Sequence, residues 1–353
     1  MTIRRLLLSW YREEKRDLPW RRDADPYRIW VSEIMLQQTR VEMARSYFLS
    51  FLERFPTVDL LAEAPLEEVL AKWSGLGYYR RARLLHRAAG QVVERGGFPQ
   101  SAVEWKELAG VGEYTAAAIA SIAFGEPVAV VDGNVERVVS RLRALAVDPK
   151  RGAGRRAIRE AAAELLAREQ PGEWNQAMME LGATLCAPRA PRCPECPLVD
   201  ECGAASSGRP ERFPVLERRL SPERIGLVAA VVEHGSRVLL FRRPDDESLL
   251  AGTWEVPWVE ADERESAPET SFEKSYGGKW RLSPQLARVR HSVTRYRLEV
   301  WVHRATLAAK GTVGEGREAG WFNAEERRAL PQSSLLEKIL RQLPPKERIQ
   351  ETP

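Results

Sequence analysis

The chain has 353 residues, 44% of them hydrophobic and 29% charged. That is enough for two or three domains with sizeable cores, and it excludes wholesale disorder. Its 54 basic residues outnumber its 50 acidic ones by only four, which excludes a histone-like binder held by bulk charge alone. Arginine supplies 45 of the basic residues and lysine nine. The bias suits planar, two-point contacts to phosphate, and high-GC codon usage produces it equally well.

In chain order, residues 1–203 read as mostly helical. The first segment, Thr2 to about Arg16, is amphipathic; its apolar run breaks at Ser9, too early for a secretory leader. No stretch of 18 apolar residues follows, so no membrane partner is expected, and the expected location is cytoplasmic, on the nucleoid of a bacterial-type cell. Arg21-Arg22 is a candidate phosphate contact, although such pairs are mostly just solvated. Asp25-Pro26 is an N-cap followed by proline in the first turn. The helix it opens carries Glu33 among Ile29, Trp30, Ile34 and Leu36, with Gln37 one turn on. A glutamate there is ordinarily solvated. If that face lines a pocket, desolvation raises its pKa and makes it a proton donor.

Further helices are predicted near 43–54, 65–73, 80–95 and 102–109. Between the second and third of these, Gly75-Leu76-Gly77-Tyr78-Tyr79-Arg80-Arg81-Ala82-Arg83 combines a pliable backbone, apolar side chains and cations. It suits a wedge that enters a base step while arginine holds the phosphates, or equally a surface turn before a basic helix. Leu108–Thr115 joins two helices; Gly110 and Gly112 permit a tight turn with positive φ, and the free N–H groups of the next helix suit a phosphate. Pro127–Asp132 is the one strand-like run of this half. Asp132 then precedes Gly133-Asn134-Val135 as an ordinary N-cap, where the helix dipole holds a carboxylate ionised. One ionised and one protonated carboxyl together divide the roles of glycoside cleavage.

All four cysteines, Cys186, Cys193, Cys196 and Cys202, fall within seventeen residues in the pattern C-x6-C-x2-C-x5-C. Disulfides are disfavoured in a cytosolic chain. Structural zinc usually takes two separated close pairs; one compact four-thiolate loop favours an iron–sulfur cluster over zinc. Residues 204–220 have linker composition. Beyond them Ile225–Val232 and Val238–Phe241 are apolar and β-branched, Tyr296–Val302 alternates, and Leu335–Leu343 reads as a closing helix.

Taken together these segments resemble the MutY family of adenine DNA glycosylases, in the helix-hairpin-helix (endonuclease III) superfamily. The resemblance rests on Ser32–Thr39, Gly75–Tyr79, the hairpin at 108–115, Val131–Val135 and the four-cysteine loop, all in family order. It implies a mainly α helix-hairpin-helix glycosylase fold with a 4Fe-4S cluster over residues 1–203. A six-helix barrel would cover about 16–123, and an iron–sulfur subdomain 1–15 plus 124–203. After the linker at 204–220, an α+β Nudix-like domain covers 221–343, with a tail at 344–353. It further implies that Glu33 protonates adenine and Asp132 stabilises the sugar cation, with Tyr114 and Asn134 in support. Arg21, Gln37, Gln38, Thr39, Leu76, Tyr78, Gly110 and Gly112 would meet the DNA or the lesion, and Cys186, Cys193, Cys196 and Cys202 would hold the 4Fe-4S cluster. The substrate would be double-stranded DNA with adenine opposite 8-oxoguanine or guanine, engaged by a monomer. Lyase relatives carry lysine where Tyr114 stands, so a monofunctional enzyme is expected.

The chain departs from the family pattern at two points. Nothing between 252 and 278 supplies the Nudix metal-binding box, so no nucleotide hydrolysis is expected. The Phe-Ser-His trio that checks the lesion aligns with Val293-Thr294-Arg295, which predicts weaker 8-oxoguanine discrimination or the use of Arg295 on a phosphate, with Thr294 keeping a hydroxyl. The alternatives are a mismatch thymine or uracil glycosylase, opposed by the second domain, an oxidised-pyrimidine lyase, opposed by Tyr114, and a non-catalytic damage-binding protein, opposed by the intact pair Glu33 and Asp132.

Overall fold

The structure, a computed structural model, describes residues 2–216, 222–244, 247, 249–261, 268–293, 295–308, 317–328 and 330–343. The chain divides into two units, 1–66 with 80–219 and 67–79 with 220–353. The segment with the glycine-tyrosine loop therefore packs with the second unit, although it interrupts the first in sequence.

The first unit is helical: α1 (Ile3–Glu14), α2 (Pro26–Leu36), α3 (Val41–Arg54) and α4 (Val58–Glu63) precede the interruption, whose helix is α5 (Leu66–Lys72). After it come α6 (Arg80–Glu94), α7 (Ala102–Trp105), α8 (Glu113–Phe124), α9 (Gly133–Leu142), α10 (Gly152–Leu165), α11 (Pro171–Thr184) and α12 (Gly203–Ser206). Helix α2 starts as predicted: the Asp25 carboxylate accepts the N–H groups of Tyr27 and Arg28. It is buried from Ile29 to Met35, with Trp30 edge-on to Trp105 at 5.5 Å. Helix α1 buries Leu7, Leu8 and Tyr11 in one core with α9, α10 and α11 around Trp174. The alanine-rich α8 lets α11 come backbone to backbone; a Cβ on Gly172 would lie 2.6 Å from the Ser121 carbonyl oxygen.

Two expectations are corrected here. The helix near 102–109 closes at Trp105, because the chain must turn toward Gly110. Pro127–Asp132 is extended but belongs to no strand. A side chain takes the place of a neighbouring strand: Asn175 accepts the Val130 N–H at 3.1 Å and donates to the Val128 carbonyl at 2.9 Å.

The second unit is α+β. Its elements are β1 (Glu223–Val231), β2 (Glu233–His234), β3 (Arg237–Arg242), β4 (Trp254–Glu255), β5 (Trp258–Glu260), α13 (Pro268–Tyr276), β6 (Lys279–Val293), β7 (Tyr296–Ala308), β8 (Ala319–Phe322), α14 (Ala324–Arg328) and α15 (Ser334–Leu340). One sheet runs β5-β1-β7-β6; the other runs β2-β3-β4, with β8 also paired to β3. Strand β1 is parallel to β7 and buried on both faces, which is why its sequence is a continuous apolar run. Leu227, Ala229 and Val231 join the core under α15, and Val228, Ala230 and Val232 join the core under α13. Val293 ends β6 and Arg295 lies just before β7, its guanidinium 2.6 Å from the Tyr296 hydroxyl. Thr294 lies outside the described residues.

Candidate active site

Helix α2 carries Glu33 into the interior, where the residue is 6% exposed. Burial pushes its carboxyl up to about 7. The Tyr114 hydrogen bond and the charge of Arg21 oppose that shift, and the charge of Asp132 adds to it. Tyr114 stands in the first turn of α8, and its hydroxyl donates to Glu33 Oε2. Burial, and then the anionic neighbours Glu33 and Asp132, raise the phenol well above its ordinary value, so it remains a donor.

Asp132 is the N-cap of α9, accepting the Val135 N–H at 2.7 Å and the Asn134 side-chain amide at 3.0 Å. Sequence reasoning expects the helix start to keep it simply ionised. Desolvation outweighs the hydrogen bonds from Val135 and Asn134 and the Arg137 charge, so the carboxyl is raised above its ordinary value. Asn134 is fixed from behind, because Arg137 donates to its side-chain oxygen at 2.9 Å and to the Gly182 carbonyl at 2.7 Å. A Cβ on Gly182 would lie 2.6 Å from that of Asn134, so α11 meets the start of α9 at a glycine.

A cavity of about 810 Å³ opens beside Tyr114, lined by Gln37, Gly110, Gly112, Thr115 and Val131 among others. It has room for a nucleobase. Gln37 donates to the Thr115 hydroxyl at 3.4 Å. Of the two hairpin glycines only Gly110 has a positive φ, +77°, and a Cβ there would strike the Leu84 side chain at 2.6 Å. Gly112 instead caps α8 in an extended conformation with open space before it.

Glu33, Tyr114, Asp132, Asn134 and Arg21 are thus drawn together by hydrogen bonds and mutual charge effects. Gln38, at φ +61°, is exposed just past α2, and Thr39 is half-buried beside it. Leu76 is buried and Tyr78 exposed, both on the segment that packs with the second unit. Arg81 of α6 caps α2, donating to the carbonyls of Ile34, Met35 and Gln37. Sequence reasoning missed Glu180. Burial raises this carboxyl, but hydrogen bonds from Arg16 at 2.6 Å and Arg21 at 2.8 Å bring it down to about 2. A glutamate inside Met178-Met179-Glu180-Leu181 was the available signal.

All four cysteines are free and half-buried. Burial pushes the Cys196 thiol up to about 11, and the charges of Cys186, Cys202 and Cys193 add to the shift. Arg141 of α9, unforeseen in the sequence, stitches the loop: it donates to the carbonyls of Ala187 and Pro188 and lies 3.3 Å from Cys186 Sγ. Among the described residues no three His, Cys, Asp or Glu side chains converge as a single ion needs. Four sulfur donors in one loop are the ligand type an iron–sulfur group takes.

Residues 31–167 match the HhH-GPD superfamily of base excision DNA repair proteins, and residues 227–342 match the NUDIX domain. The chain is 35% identical to the human adenine DNA glycosylase, over 95% of this chain and 72% of that protein. It is 33% identical to the adenine DNA glycosylase of Buchnera aphidicola subsp. Acyrthosiphon pisum (strain APS), over 69% of this chain and 70% of that one. A solved thermostable thymine-DNA glycosylase superposes on 57% of this chain and 94% of its own, at 28% identity and a TM-score of 0.52. With the helical unit, the α+β unit and these relatives in agreement, the chain belongs to the adenine DNA glycosylase family, enzymes that remove adenine from DNA in base excision repair.

Proposed function

We propose that the substrate is adenine paired with 8-oxoguanine or guanine, extruded from the duplex before reaction, and that Glu33 is the acid. Its proton passes to adenine N7 while the N-glycosidic bond breaks, and the bonding electron pair leaves with the base. The sugar becomes an oxocarbenium ion, which anionic Asp132 stabilises across the site. Water adds to the sugar and loses its proton to the Glu33 carboxylate, so the sum is hydrolysis. Tyr114 holds Glu33 in place and, having no amine, forms no Schiff base, so strand cleavage does not accompany base release. Asn134 fixes Asp132. Gln37, Gly110 and Gly112 face the DNA with Gln38, Thr39 and Tyr78. Cys186, Cys193, Cys196 and Cys202 hold a 4Fe-4S cluster, which braces the loop. The enzyme acts as a monomer in the cytoplasm.

The observation that carries this reading is a buried Glu33 whose carboxyl is pushed up to about 7, hydrogen-bonded by Tyr114 and under the charge of Asp132. The likeness to a thymine-DNA glycosylase supports a second reading on the same helical scaffold. A base-release assay separates the two, using duplexes with A, T or U opposite guanine or 8-oxoguanine, with and without alkali. Release of adenine alone, with breaks only after alkali, is expected; release of thymine instead overturns the first reading. The Val293–Arg295 departure adds that the preference for 8-oxoguanine over guanine is weaker than in relatives carrying Phe-Ser-His. Single-turnover rates on the two duplexes decide that point.

A further inference from the structure

The loop between α5 and α6 is held in an uncommon backbone shape: Gly75, Gly77 and Tyr78 have φ of +96°, +70° and +51°. Tyrosine rarely adopts a positive φ, so something must hold it there. The shape turns Tyr78 outward, 45% exposed, and Tyr79 inward, 4% exposed. The Tyr79 hydroxyl donates to the main-chain oxygen of Gln332 at 3.0 Å and accepts the Gln332 N–H at 3.2 Å. Gln332 is itself fixed within the second unit. It forms a parallel bridge with Trp254, whose N–H donates to the Pro331 carbonyl at 2.7 Å. The next N–H, from Ser333, donates to the buried Glu255 carboxylate at 3.1 Å, and Ser333 caps α15. One side chain thus ties the tip of the loop to a strap that β4 and α15 hold in place.

We propose that Tyr79 is a positioning residue for base unstacking: by clasping the backbone of Gln332 it keeps Tyr78 presented as the wedge, so the second unit sets how strongly the enzyme opens the duplex. This rests on the adenine-glycosylase reading above. Phenylalanine at 79 would fill the same buried space but leave both main-chain groups of Gln332 unmatched, and Tyr78 could relax from its strained conformation.

The test is a double-mutant cycle read by a 2-aminopurine placed beside the mismatch, whose fluorescence rises as its neighbours unstack. Wild type, Tyr79→Phe, Tyr78→Ala and the double variant are compared in the full chain, with thermal unfolding as a check. Tyr79→Phe is expected to weaken unstacking about tenfold, the loss expected of two neutral hydrogen bonds. The double variant should be no worse than Tyr78→Ala, because Tyr79 acts through Tyr78. Losses that multiply would mean that Tyr79 only stabilises the fold, and the proposal fails. If Tyr79→Phe does not fold, Gln332→Pro removes the same N–H from the strap side. A wild type that unstacks the probe yet releases no adenine sinks the functional reading while the cycle still decides this one. A wild type that leaves the probe stacked overturns the wedge and its anchor together.

Discussion

Glu33 and Asp132 are both lifted by burial, and their hydrogen bonds decide how far. Glu33 receives one donor, from Tyr114, and sits near 7; Asp132 receives a backbone N–H, a side-chain amide and the nearby charge of Arg137. In the proposed mechanism the acid form of Glu33 does the work, so the rate of adenine release should fall as pH rises through about 7. Glu33→Gln should lose about 10²–10⁴-fold in single-turnover rate while binding DNA normally; a variant as fast as wild type removes Glu33 from the mechanism. The linked stability follows. With a folded pKa above the ordinary 4.5, the neutral carboxyl is fully tolerated below about 4.5, and stability is lost as pH climbs toward about 7. Glu33→Gln should therefore gain stability over wild type at pH 8 relative to pH 4, by up to roughly 3 kcal/mol in urea titrations. Tyr114→Phe removes a hydrogen bond that lowers Glu33, so the alkaline limb of the rate profile should move to higher pH. A limb that stays put means the phenol does not tune the acid. The apolar neighbours of Glu33 made its burial readable in the sequence. The shift at Asp132 was not readable, because burial rather than the local helix start sets its direction, and neither was the ion cluster at Glu180, whose partners lie about 160 residues away.

At the scale of elements, the proposed catalytic site depends on a close backbone approach. Gly182→Ala would push a methyl against Asn134 Cβ and force α11 from the start of α9. Overpacking of this kind costs about 1–3 kcal/mol. We expect that loss in urea unfolding, together with slower adenine release from a displaced Asn134; a variant equal to wild type in both would show that the helices yield freely. The starts of α2 and α9 were legible because Asp-Pro and Asp-Gly-Asn are local signals. Strand β6 was not: its ladder shifts register between Leu282 and Gln285 and again before Ala287, around Pro284, which breaks the two-residue alternation. Pro127–Asp132 looked like a strand because it is apolar and extended, and only the distant Asn175 shows that a side chain satisfies it.

For the whole molecule, the cysteine loop should determine whether the helical unit folds. The protein purified without oxygen is expected to contain iron and sulfide in equal amounts, roughly four of each per chain. Cys196→Ala should lose most of both and melt earlier, leaving Arg141 without an ordered loop to hold. Zinc in place of iron would overturn the cluster assignment. The two-domain plan was legible from the change of composition at the linker, but the membership of 67–79 was not, since no local pattern reports which half of a chain a segment packs with. That membership has a practical side. The polypeptide passes between its two units at 66–67, 79–80 and 219–220, so neither unit is one continuous stretch of chain. A single scission after residue 219 yields a helical fragment in which Tyr79 has lost its partner Gln332. Grafting the carboxy-terminal half onto a shorter glycosylase would likewise supply a receptacle with no insert, so modular exchange between such enzymes requires moving both pieces together.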